Sequence, residues 1–90
     1  MTGYFRMSRH KLLFFAGLGE QLGCRAHEVD CATDIDTVAA LIDSLCSQHD
    51  KWQALRDMTI KVAVNQTVVH RNHPLTDGDE IAFFPPVTGG

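Results

Sequence analysis

Asp77-Gly78-Asp79-Glu80-Ile81-Ala82-Phe83-Phe84-Pro85-Pro86-Val87-Thr88-Gly89-Gly90 closes the chain, and its succession of residue types decides how the rest is read. Asp77-Gly78 is turn chemistry, because glycine supplies positive φ and aspartate hydrogen-bonds its own backbone. Glu80 to Phe84 is short and aromatic-rich, which suits a pleated, half-buried strand. Pro85-Pro86 ends that strand by removing two backbone donors and holding the chain extended. Nothing after Pro86 has the apolar bulk to build a core. Val87, Thr88, Gly89 and Gly90 are therefore expected to project as a thin flexible arm, and the two glycines carry no side chain to keep a terminal carboxylate out of a narrow site.

Working outward, Thr59 to Val64 alternates most clearly, with Ile60, Val62 and Val64 inward and Lys61 and Ala63 outward. Asn65-Gln66 reads as its turn, since asparagine tolerates left-handed φ, and Thr67 to His70 returns as a further strand. In the last strand, a solvent-facing Glu80 sends Ile81 and Phe83 inward and Ala82 and Phe84 outward. Near the start, Lys11 to Ala16 is dense in aromatic and aliphatic residues and is followed at once by Gly17 and Gly19, so it reads as a strand. If Lys11 faces solvent, Leu12 and Phe14 point into the core and Leu13 and Phe15 outward, unless this strand is buried on both faces. Leu18 to Leu22 suits one helical turn. Ala26 to Cys31 reads as a second strand with Val29 and Cys31 on one face, paired with the first as a hairpin.

Between these strands, Ala32-Thr33-Asp34-Ile35-Asp36 offers several helix N-cap residues. Val38, Leu41, Ile42, Leu45 and Cys46 then recur at helical spacing to about Gln48, giving one apolar stripe that must lie on a sheet. Trp52 and Leu55 are expected to close an edge of the core from a short irregular turn. The order strand, strand, helix, strand, strand, strand defines an α+β fold: a β-grasp roll, with a mixed sheet of about five strands and one main helix packed on one face. The other face carries Phe15 and Phe84, an apolar patch expected to bind protein.

Ninety residues and 44% apolar content allow one domain with a modest core, worth about 5–13 kcal/mol from per-residue averages. The expected division is a disordered extension over residues 1–9, a β-grasp body over 10–86 and the arm over 87–90. A net charge of −3 and a pI near 5.9 argue against nucleic acid and anionic membrane as partners, because phosphate binding needs clustered Lys and Arg. No run of about 18 apolar residues exists to span a membrane. Met1 to Arg9 is interrupted by Tyr4 and Arg6 before any signal-peptide core could form. Three cysteines, Cys24, Cys31 and Cys46, at irregular spacing imply neither a disulfide framework nor a Cys-x-x-Cys metal site. A reducing cytoplasm fits best.

No catalytic constellation emerges. His70 and His73 lack a nearby cysteine or carboxylate set, so no metal is expected. His10, His27 and His49 sit on polar stretches and are expected to be exposed. Cys31 and Cys46 fall on core-facing positions, where a thiol stays protonated and behaves as a small hydrophobe. The remaining ionisable group with a reason to be presented is the α-carboxylate of Gly90, anionic at neutral pH because α-carboxyls ordinarily titrate near ~3.5.

Phe83-Phe84-Pro85-Pro86-Val87-Thr88-Gly89-Gly90 resembles, without a break, the C-terminus of the small subunits of molybdopterin synthase, sulfur carriers of the ubiquitin-like β-grasp group. Val64-Asn65-Gln66-Thr67, His73-Pro74-Leu75-Thr76-Asp77-Gly78-Asp79 and Lys11-Leu12-Leu13-Phe14-Phe15-Ala16 are similar to the same family, so the likeness covers residues 10 to 90. It leaves two readings of the first residues, a vector-derived leader with Met7 as the native start or a genuine loose terminus.

The resemblance implies that Gly90 is adenylated by an ATP-dependent enzyme of the ubiquitin-activating type and converted to a thiocarboxylate. The sulfur is then carried into the large subunit of molybdopterin synthase and transferred to cyclic pyranopterin monophosphate. Phe15, Val68 and Phe84 match an apolar surface that the family presents to its partners, with Pro85 and Pro86 at the root of the arm. The resemblance also implies a heterotetramer of two small and two large subunits, no bound cofactor, and no active site of the chain's own. The arm extends about 13 Å at ~3.3 Å per residue, so the body must dock close to each active site. Two other classes share these features: a thiamin-type sulfur carrier or ubiquitin-like protein modifier, and a β-grasp interaction module whose terminal glycines are incidental. The long Phe-Phe-Pro-Pro-Val-Thr run weighs against the thiamin type, and blocking the terminus separates the interaction module from all carriers.

Overall fold

The computed structural model describes residues 7–86 of the chain. Its strands are β1 (Met7–Phe14), β2 (Ala26–Ala32), β3 (Lys61–Val64), β4 (Thr67–Val69) and β5 (Glu80–Phe84). Two α-helices, α1 (Gly17–Leu22) and α2 (Val38–Gln48), and a 3-10 helix over Asp50–Arg56 complete the element order. The strands form one sheet in the order β2-β1-β5-β3-β4, with β1 and β5 parallel and every other pair antiparallel. This is the mixed five-stranded sheet with one main helix that the sequence predicts.

The inner face follows from the alternation. Leu12 and Phe14 of β1, Val29 and Cys31 of β2, Val62 and Val64 of β3, and Ile81 and Phe83 of β5 are all buried. They join one apolar cluster with Val38, Leu41, Ile42, Leu45 and Cys46, the stripe of α2. The helix begins one residue later than the acidic run suggests: Thr37 is the N-cap, its side chain accepting from the Ala40 amide at 3.1 Å. Asp36 is used elsewhere, its carbonyl accepting from the Leu75 amide. Trp52 and Leu55 are buried from the 3-10 helix, which is more regular than the expected irregular turn. The indole lies 5.5 Å from the Phe14 ring and 5.1 Å from His27, so it seals the core edge.

The first strand differs from expectation. It starts at Met7, so residues 7–9 are not a disordered extension but pair with Ala32, Cys31 and Asp30 of β2. The Arg9 guanidinium meets Asp30 at 2.9 and 3.2 Å, and this pairing holds the Asp30 carboxyl below the usual carboxylate range. The Arg9 amide donates to Asp77 Oδ1 at 2.7 Å, and the Gly78 amide donates to the Arg9 carbonyl. Gly78, at φ 89°, is the positive-φ residue the turn requires. The longer pleat also corrects the expectation for His10. It takes the inward position of β1 and is 1% exposed, with neither ring nitrogen hydrogen-bonded among the described residues. His27 is half-buried against Trp52, whereas His49 is exposed and its Nδ1 accepts from the Lys51 amide at 3.0 Å.

Two polar clamps fix the ends of the sheet. Arg71 donates to the carbonyls of Leu55, Asp57 and Ile60 at 2.6, 2.8 and 3.1 Å, tying the 3-10 helix to the entry of β3. Asp79 is buried and accepts from the Thr76 amide at 2.8 Å, the Asn65 side-chain amide at 2.8 Å and the Thr76 hydroxyl at 3.2 Å. Burial by itself pushes the Asp79 carboxyl up. The bonds from Thr76 and Asn65, with a smaller contribution from the charge of His10, outweigh burial and hold the group below its ordinary value. A lowered folded pKa means stability that is complete above the unfolded aspartate value of about 3.9 and is lost as pH falls through the folded value. Urea titrations at pH 7 and pH 3 are expected to show lower stability at pH 3, and Asp79→Asn is expected to reduce that difference. An unchanged difference in the variant would contradict this assignment.

Asn65 and Gln66 form the β3–β4 turn with φ of 50° and 73°, the pair of positive values that a two-residue type I′ hairpin demands. Asn65 is fixed by more than its turn position, because its side-chain oxygen also accepts from the Glu80 amide at 3.0 Å. Gln66 makes no such bond and bears the left-handed conformation with a Cβ. Gln66→Gly is therefore expected to stabilise the fold by about 0.5–1 kcal/mol, raising the melting temperature by a few degrees. A lower melting temperature would show that the turn is not strained there.

Candidate functional site

The site is built on the outward positions of the sheet. Phe15 follows β1 directly and Phe84 ends β5, and the parallel register places them side by side, one step beyond the Phe14–Phe83 pair. Their rings stack at 4.6 Å between centroids and 7° between planes. The Phe15 amide donates to the Phe83 carbonyl at 3.1 Å, so the stack is fixed at its backbone root. Ala16, next in the chain, takes φ 52° and ψ −140°, a strained conformation that turns the chain from β1 into α1 immediately after this stack. Phe15 is 42% exposed, while Phe84 and Pro85 are half-buried and Pro86 is exposed.

One register step back, the pairings line up Ala26, Leu13, Ala82, Ala63 and Val68 in a single outward row crossing all five strands. Val68 stands at its end, 65% exposed. The structure thus brings Phe15, Phe84 and Val68 onto one continuous face. Ala63 and Ala82 take the outward positions that alternation assigns them, yet both are buried, because methyl groups sit low in the pleat among larger neighbours. They form a floor to the face that sequence reasoning misses: alternation locates them, but nothing in their small side chains signals a contact surface. The next row back is charged, with Lys11 paired in register between Glu28 and Glu80. The face is therefore an apolar band with a polar border, the composition of a protein contact with a dry centre and a wet rim.

Val87, Thr88, Gly89 and Gly90 lie outside the described residues, so the expectation of a projecting arm is carried by the sequence. Of the cysteines, Cys31 is buried, and burial, followed by the charge of Asp30, pushes its thiol up, away from nucleophilic character. Cys46 is buried and Cys24 half-buried. His70 and His73 belong to one turn, in which the His73 amide donates to the His70 carbonyl. No helix among the described residues is long and apolar enough to cross a membrane.

The fold is a ubiquitin-like β-grasp. It matches SAMP1 from Haloferax volcanii with a TM-score of 0.76 at 31% identity, covering 92% of this chain and 100% of that one. It also matches Caldiarchaeum Subterraneum ubiquitin with a TM-score of 0.59 at 17% identity, covering 94% and 100%. A family model described as the ThiS family matches residues 12–90, and the chain belongs to that family. The molybdopterin synthase sulfur carrier subunit of Escherichia coli (strain K12) is 56% identical to it over 81 residues, covering 89% of this chain and 98% of the relative.

Proposed function

We propose that the chain is the sulfur-carrier small subunit of a molybdopterin synthase. The observation that carries this reading is the stacked Phe15–Phe84 pair on an apolar face at the end of β5, the strand whose continuation is the Gly89-Gly90 terminus. It is supported by 56% identity to a sulfur-carrier subunit across nearly the whole of that relative. Residues 7–86, which include the whole of β1, act as the docking body and residues 87–90 as the arm that delivers the terminus. Phe15, Val68, Phe84, Pro85 and Pro86 contact the partners. The chain is not itself the catalyst, works in the cytoplasm, and assembles with the large subunit as a heterotetramer.

A carboxylate is a poor electrophile and must be activated before its oxygen can be exchanged. An adenylating partner supplies this step: a Gly90 carboxylate oxygen attacks the α-phosphorus of ATP and pyrophosphate leaves. Hydrosulfide released by a sulfur donor then attacks the acyl carbon, AMP leaves, and loss of the sulfur's proton gives a thiocarboxylate at Gly90. The large subunit accepts that sulfur for cyclic pyranopterin monophosphate. Exchange of labelled pyrophosphate into ATP, catalysed by a matching activating enzyme, tests the first step. It is expected to depend on this chain and to vanish when Gly90 is amidated; exchange undiminished by amidation would refute the carrier role.

A second reading is a ubiquitin-like protein modifier, favoured by 31% identity to SAMP1 of Haloferax volcanii and 30% identity to the small archaeal modifier protein 1 of the same organism. The two readings share adenylation and part afterwards, since a modifier forms an isopeptide bond to lysine. Thiocarboxylate consumed by the large subunit with no lysine conjugate formed supports the first.

A further inference from the structure

β4 ends at Val69, opposite Val62, and the chain from His70 to Asn72 then turns away from the entry of β3. Between them opens a cleft of about 490 Å³, lined in part by Met58, Ile60, Lys61, Val68, His70 and Arg71. That volume falls within the about 300–1,000 Å³ typical of ligand sites. The Arg71 guanidinium, spent on three backbone carbonyls, braces one wall and leaves its positive charge there.

Three observations indicate what the cleft takes. Its rim is apolar and unusually open, with Met58 77% and Val68 65% exposed; methionine adapts its shape to a partner side chain at small cost. Its charge is one-sided. Lys61 and Arg71 are cations, His70 adds a polar ring, and no carboxylate belongs to the lining among the described residues, in a chain whose net charge is −3. Third, the cleft continues the docking face: Val68 belongs to the outward apolar row, and Lys61 is paired in register with Phe84.

We infer that this cleft receives an extended segment of the large synthase subunit in which an apolar side chain lies beside a carboxylate. The apolar group packs between Met58 and Val68, and the carboxylate meets Lys61. The inference rests on the reading under Proposed function and adds to it a second contact, charged where the Phe15–Phe84 contact is apolar. A charge at the border of an interface acts on association rate and salt dependence, so the cleft orients the body before the aromatic stack seats.

The test is calorimetric titration of the full chain with the purified large subunit at low and high salt, using Lys61→Glu, Met58→Asp, Phe84→Ala and, as a control on the opposite edge, Lys51→Glu. Both Lys61 and Met58 are exposed, and circular dichroism checks that each variant is folded. Lys61→Glu and Met58→Asp are each expected to weaken binding about tenfold, and Lys61→Glu to flatten the salt dependence. Lys51→Glu is expected to bind like the wild type. If Phe84→Ala weakens binding while both cleft variants stay within about twofold of wild type, the cleft assignment is overturned and the carrier reading stands. If the wild-type chain does not bind the large subunit, both are overturned.

Discussion

Removing Gly90, or adding one residue after it, is expected to abolish sulfur transfer while leaving the fold and its melting temperature unchanged. The reason lies in where the buried residues stop. Among the described residues, the last member of the apolar core is Phe83, and Phe84 to Pro86 are half-buried or exposed. A change at residue 90 is four residues beyond the described body. The chemistry, by contrast, is tied to the position of one carbonyl carbon. One residue more or less moves it by about 3.3 Å along an extended arm, and misplacement of a reacting atom by about 1 Å can already cost 10²-fold. A loss of at least about 10²-fold in single-turnover sulfur transfer to the large subunit is therefore expected for both variants, with superimposable thermal melts. Transfer within tenfold of wild type in either variant would mean that Gly90 does not carry the reacting group.

The second large effect is expected at the aromatic stack. Phe84→Ala removes one ring of a pair stacked at 4.6 Å on the apolar face, and large aromatic side chains are the type that dominates binding energies when truncated. A loss of about 2–3 kcal/mol toward the large subunit corresponds to a roughly 30- to 150-fold weaker dissociation constant. The adenylating enzyme is expected to lose affinity as well, because the same terminus must reach both active sites from the same body. Stability should fall little, by about 0.5–1.5 kcal/mol for the lost ring pair, since Phe84 points away from the core that holds Phe83. Phe15→Ala is expected to be non-additive with Phe84→Ala, as each ring orients the other. Calorimetric titration showing wild-type affinity for both partners in Phe84→Ala would remove this face from the docking account.

Much of this arrangement is legible in the sequence because it follows from short-range periodicity. The stripe Val38, Leu41, Ile42, Leu45 and Cys46 has no alternative explanation than one helix face on a sheet, and every member is buried. The outward sense of Phe15 and Phe84 comes from the same alternation that buries Leu12, Phe14, Ile81 and Phe83. What escapes the sequence depends on contacts between distant segments. β1 begins at Met7 because Arg9 is bonded to Asp77, 68 residues away, and to Asp30 across the hairpin. No local pattern around Arg9 and His10 announces those partners, so a polar run reads as a loose end and His10 as a surface residue.

The helix cap falls on Thr37 for a similar reason: Asp36 and Thr37 are engaged by the segment around Pro74 and Leu75, through a backbone bond and an isolated bridge. Ala63 and Ala82 illustrate a different limit. Alternation gives the direction of a side chain, whereas burial of a methyl group depends on the height of its neighbours in adjacent strands, which only the register reveals. The cleft beside Met58 and Lys61 is equally hidden, because it exists where β4 stops short of the length of its partner.

The central claim is that Gly90 carries sulfur, and intact mass spectrometry tests it most directly. The purified chain is incubated with a matching activating enzyme, ATP and a sulfur donor, then fragmented to locate any change. The account predicts a gain equal to sulfur replacing one oxygen, confined to Gly90. An unchanged mass, with an activating enzyme shown to be active on its own carrier and with no adenylate detected on this chain, would contradict it.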